Sequence, residues 1–217
     1  VVTSTNVYGQ VAEEIGGDLV SVTPFISSAS QDPHSFEASA QDQLLVSKAE
    51  LIIGNGGGYD SFLDTLIEST GTSAPVISAV EFNHDWPGED GEHSEDEHAE
   101  EEHSDDEHGE HEHTHIEGFN EHVWYDPHTM EHVAEAIAEE LSALRPDDAA
   151  TFEANAADFV AGIAGLEDSL AAIDAAHAGA GVFVTEPVPV YLVIAAGLEN
   201  VTPDAFREAG EAGQDVP

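Results

Sequence analysis

The 217-residue sequence contains no cysteine. That excludes disulfides and any metal site built on thiolates. Basic residues are almost as scarce: Lys48, Arg145 and Arg207 stand against 46 aspartates and glutamates. A nucleic-acid partner needs a basic patch to neutralise its phosphates, so no nucleic acid is expected. An anionic membrane surface would repel the chain for the same reason. No apolar run reaches the roughly 20 residues of a transmembrane helix. Val1 opens directly in a strand-like segment, which implies that any leader or anchor has been removed or omitted.

Hydrophobic residues make up 41% of the chain, too many for global disorder and enough for a sizeable core. The acid is spread widely: 14 of the 46 carboxylates lie between Glu89 and Glu112, and the rest are distributed along the chain. Two readings compete, steering of cations and adaptation to a very salty environment. The near-absence of lysine favours the second. At molar salt the screening length is about 3 Å, so any cation would have to be held by short-range ligands.

Strand-like and helix-like segments alternate. Residues 1–4 read as a buried strand, 7–15 as a helix stopped by Gly16 and Gly17, and 19–25 as a strand. A helix over 38–49 precedes a strand at 51–53 and a glycine-rich turn at 55–58. A helix over 59–68 and a strand over 75–80 complete the series. This order predicts an α/β fold with a parallel sheet flanked by helices.

From His84 to His115 the composition changes to Glu, Asp and His, with eight of the 13 histidines. His93, His98, His103 and His108 recur every five residues. That spacing advances a helix by about 140° net, so these side chains would not share one face. The pattern predicts a disordered loop over 84–118. Order resumes at His122-Val123-Trp124-Tyr125-Asp126-Pro127, where Asp126 suits an N-cap and Pro127 the first helical position. A helix to about Leu144 is expected, ended by Arg145-Pro146. A longer one follows from about Asp147, with the stripe Phe159, Ile163, Leu166, Leu170 and Ile173. At about 1.5 Å per residue it would span near 40 Å, long enough to link two lobes. A strand over 181–185, a helix over 189–196 and a strand-like 200–202 follow. The expected organisation is an N-terminal α/β lobe over 1–145, a linking helix over 146–177, and the start of an incomplete C-terminal α/β lobe over 178–217.

Three positions carry candidate chemistry. His34 sits in Asp32-Pro33-His34-Ser35-Phe36-Glu37, a polar turn after a strand, where α/β proteins place ligands. The plainer reading is a solvated loop histidine. His122 stands beside Trp124 before a helix start; the plainer reading is a half-buried histidine satisfied by backbone. Glu186 follows the apolar run Val182 to Thr185 and precedes Pro187; alternatively it is a carboxylate favoured by a helix N-terminus. A rival motif is His128-Thr129-Met130-Glu131-His132, which matches the H-x-x-E-H pattern of one zinc metalloprotease class. It places His128 in a first helical turn, without the support a mid-helix position supplies.

The Asp32–Glu37 and His122–Pro127 motifs, with Glu186 after a strand, resemble the zinc/manganese substrate-binding proteins of ABC transporters, the cluster A-I type. The opening 1–17, the strand-turn over 51–58 and the acidic, His-rich loop are also similar to that family. The resemblance implies two α/β lobes joined by a long rigid helix, with the metal between them. It implies His34 and His122 as ligands from the first lobe and Glu186 as the third, with a fourth beyond Pro217. It further implies a divalent metal as cargo, a membrane permease as partner, an extracellular place (secreted or lipid-anchored), a monomer and no enzymatic activity. Two imidazoles with one or two carboxylates suit Zn²⁺, but also Mn²⁺ or Fe²⁺; zinc is favoured, with Mn²⁺ the alternative. Glu in place of a third His leans toward harder ions, while the His-rich loop leans toward zinc. An adhesin of the same family is a further alternative.

Overall fold

Val2–Thr5 forms β1, and all four of its residues are buried. Being apolar or hydroxyl-bearing and covered on both faces, it suits the centre of a parallel sheet. The chain turns directly into helix α1, Asn6–Gly16, which buries Tyr8, Val11, Ala12 and Ile15. β2 (Thr23–Ile26), β3 (Ile52–Gly54) and β4 (Val76–Ser78) complete a four-stranded sheet of order β2-β1-β3-β4, every pair parallel. Helix α2 (Ala40–Val46) precedes β3, and α3 (Ser61–Thr70) links β3 to β4. The computed structural model describes residues 1–28, 30–88, 116, 118–203 and 206.

The α/β expectation is met, with β2, β4 and helix α2 shorter than the periodicity suggested. Residues 17–19 take a 3-10 turn instead of opening a strand, so β2 starts only at Thr23. The helix expected over 38–49 is trimmed to 40–46, because Ser39 and Asp42 form a reciprocal capping box that sets its start. Most of the stretch expected as a loop over 84–118, including His93, His98, His103 and His108, lies outside the described residues. At its two ends Trp86 packs edge-on against Phe119, ring centroids 5.2 Å apart.

Helix α4, Pro127–Leu144, matches the expected bounds, with Asp126 at the N-cap and Pro127 at the first helical position. The Asp126 carboxylate does not cap backbone. It accepts from Thr129 Oγ1 at 2.7 Å and Asn83 Nδ2 at 3.0 Å, tying the helix start to the end of the preceding segment. Helix α5 runs for 29 residues, Ala149–His177. Its first part is built into the main core: Phe152 and Ala156 are buried, and Phe159 and Ile163 pack against the cluster formed by α1, α4 and the sheet. Further along, Leu170 is buried while Leu166 and Ile173 are exposed, so the apolar stripe is covered only in part. Beyond α5, β5 (Gly181–Val182) and β6 (Glu199–Asn200) form a separate parallel two-stranded sheet around helix α6, Val190–Ala195.

Candidate metal site

The site is built on the turn after β3. Gly56, Gly57 and Gly58 all have positive φ. A Cβ on Gly56 would stand 2.3 Å from Ser78 Oγ and 2.9 Å from Val80 Cγ2. Only glycine therefore permits this close return of the chain. The turn is closed by buried Asp60, whose carboxylate accepts from Asn55 N at 2.7 Å and Gly56 N at 2.8 Å. Burial pushes the Asp60 carboxyl up from its ordinary value, and these backbone donors oppose that rise. The folded turn in this way sets the direction of Tyr59.

Tyr59 is the hub of a ring cluster. His34 and His122 meet it edge-on, at 5.1 Å and 5.7 Å between centroids, and Trp124 lies tilted against it at 4.8 Å. His122 and Trp124 also touch, at 5.2 Å. Burial, then the nearby charges of Asp60, Asp32 and Glu121, raises the Tyr59 phenol, so it stays neutral. His34 arrives on a 3-10 turn, Pro33–Ser35, whose N-cap Asp32 accepts from His34 N at 3.0 Å and Ser35 Oγ at 3.1 Å. The local motif read from the sequence thus has a physical purpose, to fix the backbone that carries the imidazole. His34 Nε2 lies 3.9 Å from Glu121 Oε1, and Glu121 is only 7% exposed.

His122 is 8% exposed and is held by Asn120. Asn120 Oδ1 accepts from His122 N at 3.2 Å and sits 2.7 Å from His122 Nδ1. The other end of the same carboxamide donates to the Pro187 carbonyl at 3.1 Å. Because that carbonyl can only accept, the NH₂ faces Pro187 and the oxygen faces the imidazole. Nδ1 then carries a proton directed at the Asn120 oxygen. The segment before His122 is anchored from below: Asn55 Nδ2 donates to the Glu121 carbonyl at 2.9 Å, and the Tyr8 hydroxyl donates to Asn55 Oδ1.

His34 and His122, remote in sequence, are thereby brought onto one ring cluster. Glu186 is solvent-exposed in the bend before Pro187, which Asn120 grips. Among the described residues no three His, Asp or Glu side chains stand together closely enough to hold one ion, so Glu186 does not complete a three-ligand group with the histidines. Tyr59, Asn120 and Glu121 were not singled out in the sequence. The one available signal was the adjacency of Asn120 and Glu121 to His122; nothing local pointed to Tyr59. The rival pair His128 and His132 lies on the exposed face of the first turns of α4. There His128 Nδ1 is 3.7 Å from Glu131 and His132 Nδ1 3.1 Å from Glu135. A groove of about 510 Å³ between α4 and α5, lined by Glu135, Ala138, Glu139, Ala156 and Val160 among others, shares no residue with the ring cluster.

The chain is similar to the manganese-binding lipoprotein MntA of Halalkalibacterium halodurans, 27% identical over 77% of this chain and 47% of the relative. It is equally similar, at 27% identity, to the zinc-binding lipoprotein AdcA of Streptococcus pneumoniae, over 99% of this chain and 41% of that protein. The chain therefore spans less than half the length of these relatives. The crystal structure of the Zn(II)-bound ZnuA-like domain of Streptococcus pneumoniae AdcA shares the fold, with a TM-score of 0.69 at 22% identity, covering 93% of this chain and 65% of that one. The family model for the periplasmic zinc-uptake complex component A, ZnuA, matches residues 1–215, and the chain belongs to that family.

Proposed function

We propose that this chain is the metal-capturing part of an ABC transporter's binding protein, which takes up Zn²⁺ and hands it to a membrane permease. Mn²⁺ is the alternative cargo. The ligands are His34 and His122 through imidazole nitrogen, with Glu186, which does not stand with them among the described residues, joining through its carboxylate when the ion is bound; residues 1–145 and 178–217 are the two lobes and 146–177 the linking helix. The observation that carries this reading is the meeting of His34 and His122 at Tyr59, from two segments held by independent hydrogen bonds. That the similar proteins are a manganese-binding and a zinc-binding lipoprotein supports the cargo class.

The protein carries the ion without covalent chemistry, as a monomer on the outer face of the cell. The exposed histidines of the H-x-x-E-H motif lack the enclosed setting a peptidase needs. The net charge of −43 suits molar salt, and self-repulsion at low salt should depress the melting temperature relative to 2 M KCl. The His-rich stretch, most of which lies outside the described residues, collects zinc more weakly than the main site.

Calorimetry with Zn²⁺ and Mn²⁺ tests the reading. His34→Ala and His122→Ala should each weaken the tight site by at least tenfold, and lower pH should weaken it in the parent chain as protons compete for imidazole. Unchanged tight binding in both variants would overturn the ligand assignment. Peptide hydrolysis lost on Glu131→Gln would instead establish the protease.

A further inference from the structure

Asn120 touches both halves of the arrangement at once. Its carboxamide oxygen takes the backbone N–H and sits on Nδ1 of His122, at 3.2 Å and 2.7 Å. Its NH₂ holds the Pro187 carbonyl at 3.1 Å, one residue beyond Glu186. Its own backbone carbonyl accepts from the hydroxyl of buried Tyr191 at 2.9 Å. Two separate hydrogen bonds, one of them through a side chain that also orients an imidazole, therefore tie the segment 187–191 to the segment 120–122.

We infer that Asn120 is a positioning residue that fixes the metal-binding nitrogen of His122 and clasps the Glu186-bearing segment to it, so that one side chain sets affinity and governs the rate of exchange. This rests on the reading of His34, His122 and Glu186 as ligands. The two duties are chemically separable. Fixing the imidazole needs an acceptor at the Oδ1 position: with Nδ1–H engaged, Nε2 is the nitrogen presented to an ion, as outer hydrogen-bond partners do for ligating histidines. Clasping needs a donor at the Nδ2 position. Aspartate supplies the acceptor and, by placing an oxygen against the Pro187 carbonyl, removes the clasp. Alanine supplies neither. Tyr191→Phe loosens the same segment without touching His122.

The test uses the full chain with Zn²⁺ as the ion measured, chelator competition for affinity, stopped-flow chelation for release, and Co²⁺ absorption as a reporter of the ligand field. Asn120→Ala should bind Zn²⁺ about 10- to 100-fold more weakly, with an altered Co²⁺ spectrum. Asn120→Asp should restore affinity to within about threefold and the parent spectrum, while capture and release both quicken up to about tenfold, the size of one lost hydrogen bond. Tyr191→Phe should quicken exchange with the spectrum unchanged. Parent-like affinity and spectrum in Asn120→Ala would overturn the orienting role. Parent-like rates in both Asn120→Asp and Tyr191→Phe would overturn the clasp. His34→Ala and His122→Ala in the same assay separate the two levels: if they bind tightly the ligand reading fails, and if they lose binding while the Asn120 and Tyr191 variants are silent only the inference fails.

Discussion

The region around the four-stranded sheet and the region around the two-stranded sheet are built from similar apolar material, yet they bury it differently. In the first, β1 is covered on both faces, and α1, α4 and the first part of α5 close over Ile53, Val80, Ile137 and Phe152. In the second, Phe183, Val201 and Ile194 are 52%, 50% and 61% exposed. The strands β5 and β6 have two residues each, and α6 has six. An apolar pattern stabilises only when a second layer removes it from water, because the hydrophobic term scales with area buried and not with composition. The same α5 shows both situations along one helix: Phe152 is fully buried and Ile173 is exposed.

The contrast can be broken by mutation. Phe152→Ala should cost most, about 3–5 kcal/mol, since it opens a cavity in the main core. Denaturant melts would check it, and a loss under 1 kcal/mol would mean that α5 is not integral to that core. Gly56→Ala comes next, at roughly 1–3 kcal/mol, because its φ of +78° and the contact with Ser78 both oppose a side chain. The same variant should displace Tyr59 and shift its near-ultraviolet dichroism.

Asp64 offers a smaller, pH-dependent effect within the same region. Burial of its carboxyl, then the charges of Asp60 and Glu68, raises its pKa to about 6. The folded state then holds the extra proton, so stability falls as pH rises from about 4 through 6 and the deficit is full above that. Asp64→Asn should therefore raise the melting temperature at pH 7 and leave it unchanged near pH 3.5. The side chain as a whole is exposed, so solvent screening limits the gain to roughly 0.5 kcal/mol or less. Ile194→Ser should do least, within about 0.5 kcal/mol, because that side chain already faces water. A large loss there would show that the second region is covered by something it packs against.

Legibility followed the range of the interactions involved. Helix α4 was readable because Asp126, Pro127 and Arg145-Pro146 mark its ends locally. β2, β4 and β5 were placed but overrun, since alternation does not say where a ladder loses its partner: β4 stops at Ser78 where the chain enters a 3-10 turn. At the site, His34 and His122 announced themselves through their flanking motifs. Tyr59 did not, because its role comes from being packed between residues distant in sequence. Glu121 looked like one more acid in an acidic chain, and its 7% exposure is a property of the folded protein alone.

By itself the sequence determined the alternation that makes a parallel α/β sheet, the helix boundaries with strong stop signals, and the absence of thiol chemistry. It also supplied the two histidine motifs, each of which organises its own few residues of backbone. Only the tertiary structure decided that the Tyr8–Asn55–Glu121 chain of hydrogen bonds and the Asn120–Pro187 contact would hold the His122 motif beside Tyr59, against which His34 also packs. Those bonds join residues between 47 and 67 positions apart, and no periodicity or cap written within a few residues can specify a partner at that distance.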